Sequence, residues 1–275
     1  MLPKISNGWA GGRVAIALLI AIPLLASDIP LFPTPLHLVR RVEDPIANSS
    51  TEVDEYCTGN KIITVHGAKT AIVDYERQEL LEIDRAASTY SVASFDEIAA
   101  ARSIADRSTP RRSKIGSAAA GESWKTTPLG AKLTASGRSA DSFEIATSSV
   151  KVEVAVDRQV SLSRAALDAI SGASYPNKHT DQQEAVARAC ARTDDVHAQV
   201  AGGGSYGLPL DQSITVDADP KTHLTIRNVI VRVSNDLPPP EMLAIPAGAA
   251  LVESRPARMV KQLKELEQAP KTPRP

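Results

Sequence analysis

Aromatic residues are scarce: two Trp, five Tyr and three Phe, or 4% of 275 residues. A glycan- or base-binding surface built from stacked rings is therefore disfavoured. Charge of one sign is scarce too, with 32 Asp and Glu against 31 Lys and Arg, a net −1. Nucleic-acid binding rests on clustered cations, so no nucleic-acid partner is expected. The five histidines, His37, His66, His179, His197 and His223, include no pair at helical ligand spacing and no carboxylate–histidine cluster. No metal and no cofactor is expected from that pattern. There are only two cysteines, Cys57 and Cys190. A disulfide between them, closing a long loop, and two separate thiols both stay open.

Long apolar runs are missing but for one. Val14–Ala26 is an unbroken apolar run of 13 residues behind a start that carries Lys4 and Arg13 and no acid. Spanning a bilayer takes about 20 such residues. The pattern predicts a secretory signal over residues 1–27 and an exported protein. Leu24 stands where a signal peptidase prefers a small residue, which keeps an uncleaved N-terminal anchor open.

What the chain does have is strand grammar. Lys61–Phe95, KIITVHGAKTAIVDYERQELLEIDRAASTYSVASF, reads as Ile62–His66, Thr70–Tyr75, Glu79–Asp84 and Thr89–Val92 joined by tight charged turns. The period of two is the strand signature. Further strands are expected at Ala131–Thr134, Ser142–Thr147, Leu208–Leu210, Ser213–Val216 and Thr222–Val233. Lys151–Arg158, KVEVAVDR, alternates most clearly, with Val152, Val154 and Val156 on one side and Lys151, Glu153 and Asp157 on the other. One wet and one dry face is what an open antiparallel sheet needs. Within Thr222–Val233 the apolar parity switches, which predicts a β-bulge near Arg227-Asn228.

Helix signals are fewer. Ser94-Phe95-Asp96-Glu97 has capping-box spacing and predicts a helix through about Arg102. Ser163 can cap a helix ending near Gly172, and Thr180 a second one through Arg192. Residues 28–50 read as an irregular, proline-containing lead-in and 103–123 as a mobile insertion. A C-terminal helix is expected over 254–268 and a disordered tail over 269–275.

Catalytic grammar is thin. Gly203-Gly204-Ser205-Tyr206-Gly207 matches G-x-S-x-G, the nucleophile elbow of serine hydrolases, in form. That motif needs a buried strand before the serine and a helix after it. Here polyglycine precedes Ser205 and Leu208-Pro209 follows, which favours a flexible loop. The acidic series Asp74, Glu76, Glu79, Glu82 and Asp84 is spread over two strands, unlike a calcium loop, and reads as a solvated outer face.

Three blocks carry a family resemblance. Ile72-Val73-Asp74-Tyr75 is followed by Glu82-Ile83-Asp84 and Thr89-Tyr90. Tyr206-Gly207-Leu208-Pro209-Leu210 is the second and Leu243-Ala244-Ile245-Pro246-Ala247-Gly248 the third. In order and spacing they resemble uncharacterised secreted bacterial proteins whose domain is similar to the periplasmic lipoprotein carrier LolA. The resemblance implies an α+β fold: a curved antiparallel sheet, an incomplete β-barrel over residues 51–253, with helices on its concave side. It also implies the periplasm or cell envelope as location. Ile63, Val65, Val73, Leu81, Ile83, Val152, Val154 and Val156 are the expected lining of the concave face. The expected partner there is a lipid or lipoprotein acyl chain, or another apolar segment, without catalysis. The alternative is a structural or interaction protein whose helices fill the hollow. An envelope membrane surface is a further candidate partner, and the oligomeric state is left open.

Overall fold

The computed structural model describes residues 29–44, 49–108, 125–146, 150–173, 206–219 and 222–268. The expected signal segment, the second helix with Cys190, Ser205 and the C-terminal tail lie outside these residues.

Short strands and tight reversals build the first half of the sheet. Strands β3 (Lys61–His66), β4 (Lys69–Asp74), β5 (Glu79–Asp84) and β6 (Thr89–Ser94) form an antiparallel meander. The β3–β4 reversal has two residues, with Gly67 at φ +58°. The next two reversals share one design. Asp74 Oδ1 accepts from the backbone N–H groups of Glu76 and Arg77 at 3.1 and 3.0 Å. Asp84 Oδ1 accepts from Ala87 N–H at 3.0 Å. Each turn closes on a left-handed residue, Gln78 at φ 55° and Ser88 at φ 52°. The acids read as an outer face are thus partly turn builders: an aspartate that holds backbone donors two or three residues ahead stabilises the reversal.

Two strands precede this meander, β1 (Phe32–Asp44) and β2 (Ser49–Gly59). The expectation of an irregular lead-in over 28–50 is therefore corrected for most of its length. Pro33 and Pro35 hid the strand. They sit where the β1–β2 register shifts between Phe32 and Leu36, so they interrupt no ladder hydrogen bond that the strand needs. Buried Arg40 also breaks the apolar alternation that would have marked β1.

The second half is another meander: β7 (Lys125–Leu133), β8 (Ser139–Ala146), β9 (Val150–Leu162), β10 (Tyr206–Asp219) and β11 (Thr222–Ser234). β1 pairs antiparallel with β11 and joins the halves. The resulting order is β12-β6-β5-β4-β3-β2-β1-β11-β10-β9-β8-β7, where β12 (Ala250–Leu251) lies parallel to β6. It is one large, curved, unclosed sheet, and the fold is α+β.

The parity switch in β11 has another cause than the one expected. Register is continuous from Asp211↔Val229 to Val216↔Leu224, past Arg227 and Asn228. The shift lies against β1, where Val39 pairs Arg232 and Arg40 pairs Ile230, so Val231 is the extra residue. That bulge turns both Ile230 and Val233 to the main core.

Among the described residues there are four helices: α1 (Phe95–Ser108), α2 (Arg164–Ala173), α3 (Pro240–Leu243) and α4 (Arg255–Gln268). The Ser94 capping box forms reciprocally: Ser94 N–H donates to Glu97 Oε2 at 2.9 Å and Glu97 N–H to Ser94 Oγ at 3.2 Å. α1 runs on past Arg102, through part of the segment expected to be a mobile insertion, and packs with α4 against β6. At α2, Ser163 Oγ accepts from Ala166 N–H at 3.1 Å.

Candidate functional site

Helix α2 decides what lies under the curved sheet. It touches β3 on one side and β9 and β10 on the other. Between β3 and β10 the sheet runs through β2, β1 and β11. In a flat sheet those two strands would lie about 19 Å apart, while ten helical residues span about 15 Å. The sheet therefore curls around α2. Ala166, Leu167, Ala169 and Ile170 enter one buried cluster with Phe32, Leu36, Leu38, Cys57, Ile62, Leu208, Leu210 and Ile230. The hollow expected for a ligand holds a helix at this position.

The eight residues proposed for one concave lining do not share one face. Ile63 pairs with Ile72, and Ile72 with Leu81; Val65 and Ile83 both pair with Thr70. Directly paired residues point to the same side. Ile63, Val65, Leu81 and Ile83 therefore face away from Ile62 and α2. Val73 pairs with Ile62 and lies on the α2 side. Val152, Val154 and Val156 are buried far along the sheet, paired with Ile145, Phe143 and Asp141 of β8. The physical reason is parity: neighbours in sequence alternate faces, so choosing Ile63 over Ile62 chose the other side of the sheet.

The face opposite α2 carries a row in register across seven strands: Ser234, His37, Tyr56, Ile63, Ile72, Leu81 and Val92. Residues 235–249 cross this row as a strap from β11 to β12. Met242 of α3, together with Val65 and Leu81, packs against the buried cluster of Tyr56, Ile63 and Ile72. Arg85 fastens the far side, donating from Nη2 to the Glu241 carbonyl at 2.6 Å.

Two polar groupings stand out. On the α2 side of the seam between the halves, the Arg40 guanidinium donates to Glu55 Oε2 at 3.0 and 2.7 Å and to Asn228 Oδ1 at 3.2 Å. This ties β1 to β2 and β11, and both charged side chains are buried. At the polar end of the strap row, His37 is buried and stacked on Tyr56 at 4.0 Å between centroids. Its Nε2 lies 2.8 Å from Asp54 Oδ1 and its Nδ1 3.3 Å from Ser234 Oγ. The sequence reading missed this group. His37 and Ser234 are 197 positions apart, and only the β1–β11 register joins them.

The remaining candidates resolve simply. Cys57 is a free thiol in the core, its pKa pushed up by burial and then by the Glu55 carboxylate. Tyr206 and Gly207 begin strand β10, so no helix follows Ser205 as a nucleophile elbow requires. Gly207 has its own reason: a Cβ there would run into the Val156 side chain and stand 2.8 Å from the Asp157 carbonyl oxygen. Asp157, read as solvent-facing, is fully buried and accepts from Arg138 at 2.5 Å. Among the described residues no group of three His, Cys, Asp or Glu is arranged to hold a metal. Nor, among them, is any helix long and apolar enough to cross a membrane.

No family model and no curated protein matches this chain. Among solved structures, PNGF-II in a C2 crystal form is similar over 84% of this chain and 33% of that one, at 7% identity and a TM-score of 0.35. Its P21 form is similar over 80% and 32%, at 7% identity and a TM-score of 0.34. The chain thus spans about a third of the length of these structures, and a likeness at that level carries no argument about its function.

Proposed function

We propose that this protein is an exported, non-enzymatic interaction protein of the cell envelope. In this reading its half-barrel resembles that of a lipoprotein carrier but is filled by its own helix. The observation that carries the reading is α2, whose Leu167 is fully buried in the cluster beneath the sheet. Apolar surface covered by a helix is not offered to an acyl chain. Contact area for a partner lies elsewhere. Leu243 and Ile245 of the strap and Leu251 and Val252 beside β6 are exposed on one connected segment. Exposed apolar side chains gathered on one element are what an interaction surface needs. The basic start and apolar run of residues 4–26 support export.

Native mass spectrometry with lipid extraction, on protein purified from its envelope fraction, tests this. The expected result is a lipid-free mass lacking residues 1–27. A copurifying phospholipid or acyl chain would overturn the helix-filled reading in favour of the carrier.

A further inference from the structure

We propose that His37 is a proton-operated latch that fastens the strap 235–249 over the apolar row of Tyr56, Ile63 and Ile72. His37 Nε2 meets Asp54 Oδ1 at 2.8 Å, and Nδ1 meets Ser234 Oγ at 3.3 Å. Ser234 Oγ also lies 2.7 Å from Asp236 Oδ2, on the strap. A hydroxyl has one hydrogen, a neutral imidazole one N–H, and an imidazolium two. With His37 protonated, every contact has a donor: Nε2–H to Asp54, Nδ1–H to Ser234, and Ser234 O–H to Asp236. With His37 neutral, one contact must fail. If Nε2 keeps the hydrogen, bare Nδ1 and the Asp236 carboxylate compete for the single Ser234 hydrogen. If Nδ1 keeps it, bare Nε2 faces the Asp54 carboxylate.

The same count explains why Ser234, His37 and Asp54 do not make a nucleophile. With the ring protonated, the serine hydrogen goes to Asp236 and His37 has no lone pair with which to act as its base. The charged and titratable groups around the ring are Asp54 and Tyr56 from β2, Asp236 from the strap, and Arg232 from β11. Arg232 stands 3.8 Å from Asp54 Oδ1. His37 Nδ1 lies 3.7 Å from Asp236 Oδ2, so the imidazolium also attracts the strap directly. The Ser234 hydrogen bond, and with it His37, holds the Asp236 carboxyl below the usual range and keeps it charged.

The sign follows. The fastened strap goes with the protonated ring. Fastening is strongest with the ring protonated and weakens as rising pH removes that proton. Release loosens the strap from its β11 end and weakens the cover that Met242 gives the cluster of Tyr56, Ile63 and Ile72 on the face away from α2.

Hydrogen exchange of the full chain, read by mass spectrometry and corrected for intrinsic rates, is the test. The reporters are the amides of Met242 and Ala249, which donate within the strap to Pro239 and Pro246 carbonyls at 2.9 and 3.0 Å. Strap opening is expected to be about tenfold greater near pH 8 than near pH 5.5, the effect of one charge-assisted hydrogen bond. α2 serves as the control and should not change. His37→Gln should remove the pH dependence. Asp236→Ala should do the same and is safe for folding, because that side chain is 75% exposed. Equal strap protection at both pH values would overturn the latch. So would full pH dependence in Asp236→Ala, or a rise in α2 exchange in step with the strap.

Discussion

Gln78 and Ser88 hold a backbone conformation that suits glycine, and both are exposed with φ near +50°. A left-handed residue with a Cβ carries a strain of roughly 1–2 kcal/mol. Glycine relieves that strain but raises the entropy of the unfolded chain. Gln78→Gly and Ser88→Gly are each expected to stabilise the fold by about 0.5 kcal/mol, read as a raised urea midpoint with unchanged slope. Destabilisation by either would mean that the side chain does more than close its turn. Such residues are barely legible in sequence. Asp74 and Asp84 announce reversals, but nothing in Arg77-Gln78 or Ala87-Ser88 says which residue takes positive φ. The closure of each hairpin decides that.

At the scale of elements, α2 is the piece on which the proposed function turns. Its capping serine and its length were legible, because Ser163 and the small residues after it are local signals. Its position was not, since contact with β3 and β10 depends on how the sheet curls. Leu167→Ala should cost about 2–5 kcal/mol, because the side chain is fully buried and its neighbours belong to strands that cannot collapse inward. Equilibrium urea unfolding measures it. A loss below about 0.5 kcal/mol would show that α2 does not fill the hollow. β1 teaches the opposite lesson. Its prolines and buried arginine disguised a central strand, because tertiary partners satisfied what the local pattern could not. Glu55 answers Arg40, and a register shift accommodates Pro33 and Pro35.

For the whole molecule, buried carboxylates set the acid limit. Burial pushes the Asp211 pKa up, but hydrogen bonds from Arg227 and Lys132 outweigh it and the net shift is downward. Asp74 behaves alike, its burial outweighed by Arg77 N–H, Lys61 and Glu76 N–H. A depressed carboxylate contributes stability above its unfolded pKa, about 3.9, and loses it as pH falls through the lower folded value. Stability should therefore fall from about pH 5 downward. Asp211→Asn is expected to lower stability near neutral pH by about 1–2 kcal/mol, since both cationic partners are partly exposed. It should also make the acid limb shallower, so that the two proteins converge near pH 2. Parallel curves of urea midpoint against pH would refute the assignment.

Sequence alone determined what is local here. Alternation marked β3 to β6 and β9, aspartates and glycine marked their turns, and Ser94 and Ser163 marked helix starts, because each signal acts within a few residues. Only the tertiary structure decided which side of the sheet each apolar row would face. It placed the β11 bulge at Val231, set α2 within the curve, and brought His37, Asp54 and Ser234 together. Those outcomes depend on register between strands distant in sequence, and a one-residue change in register reverses every side chain on a strand.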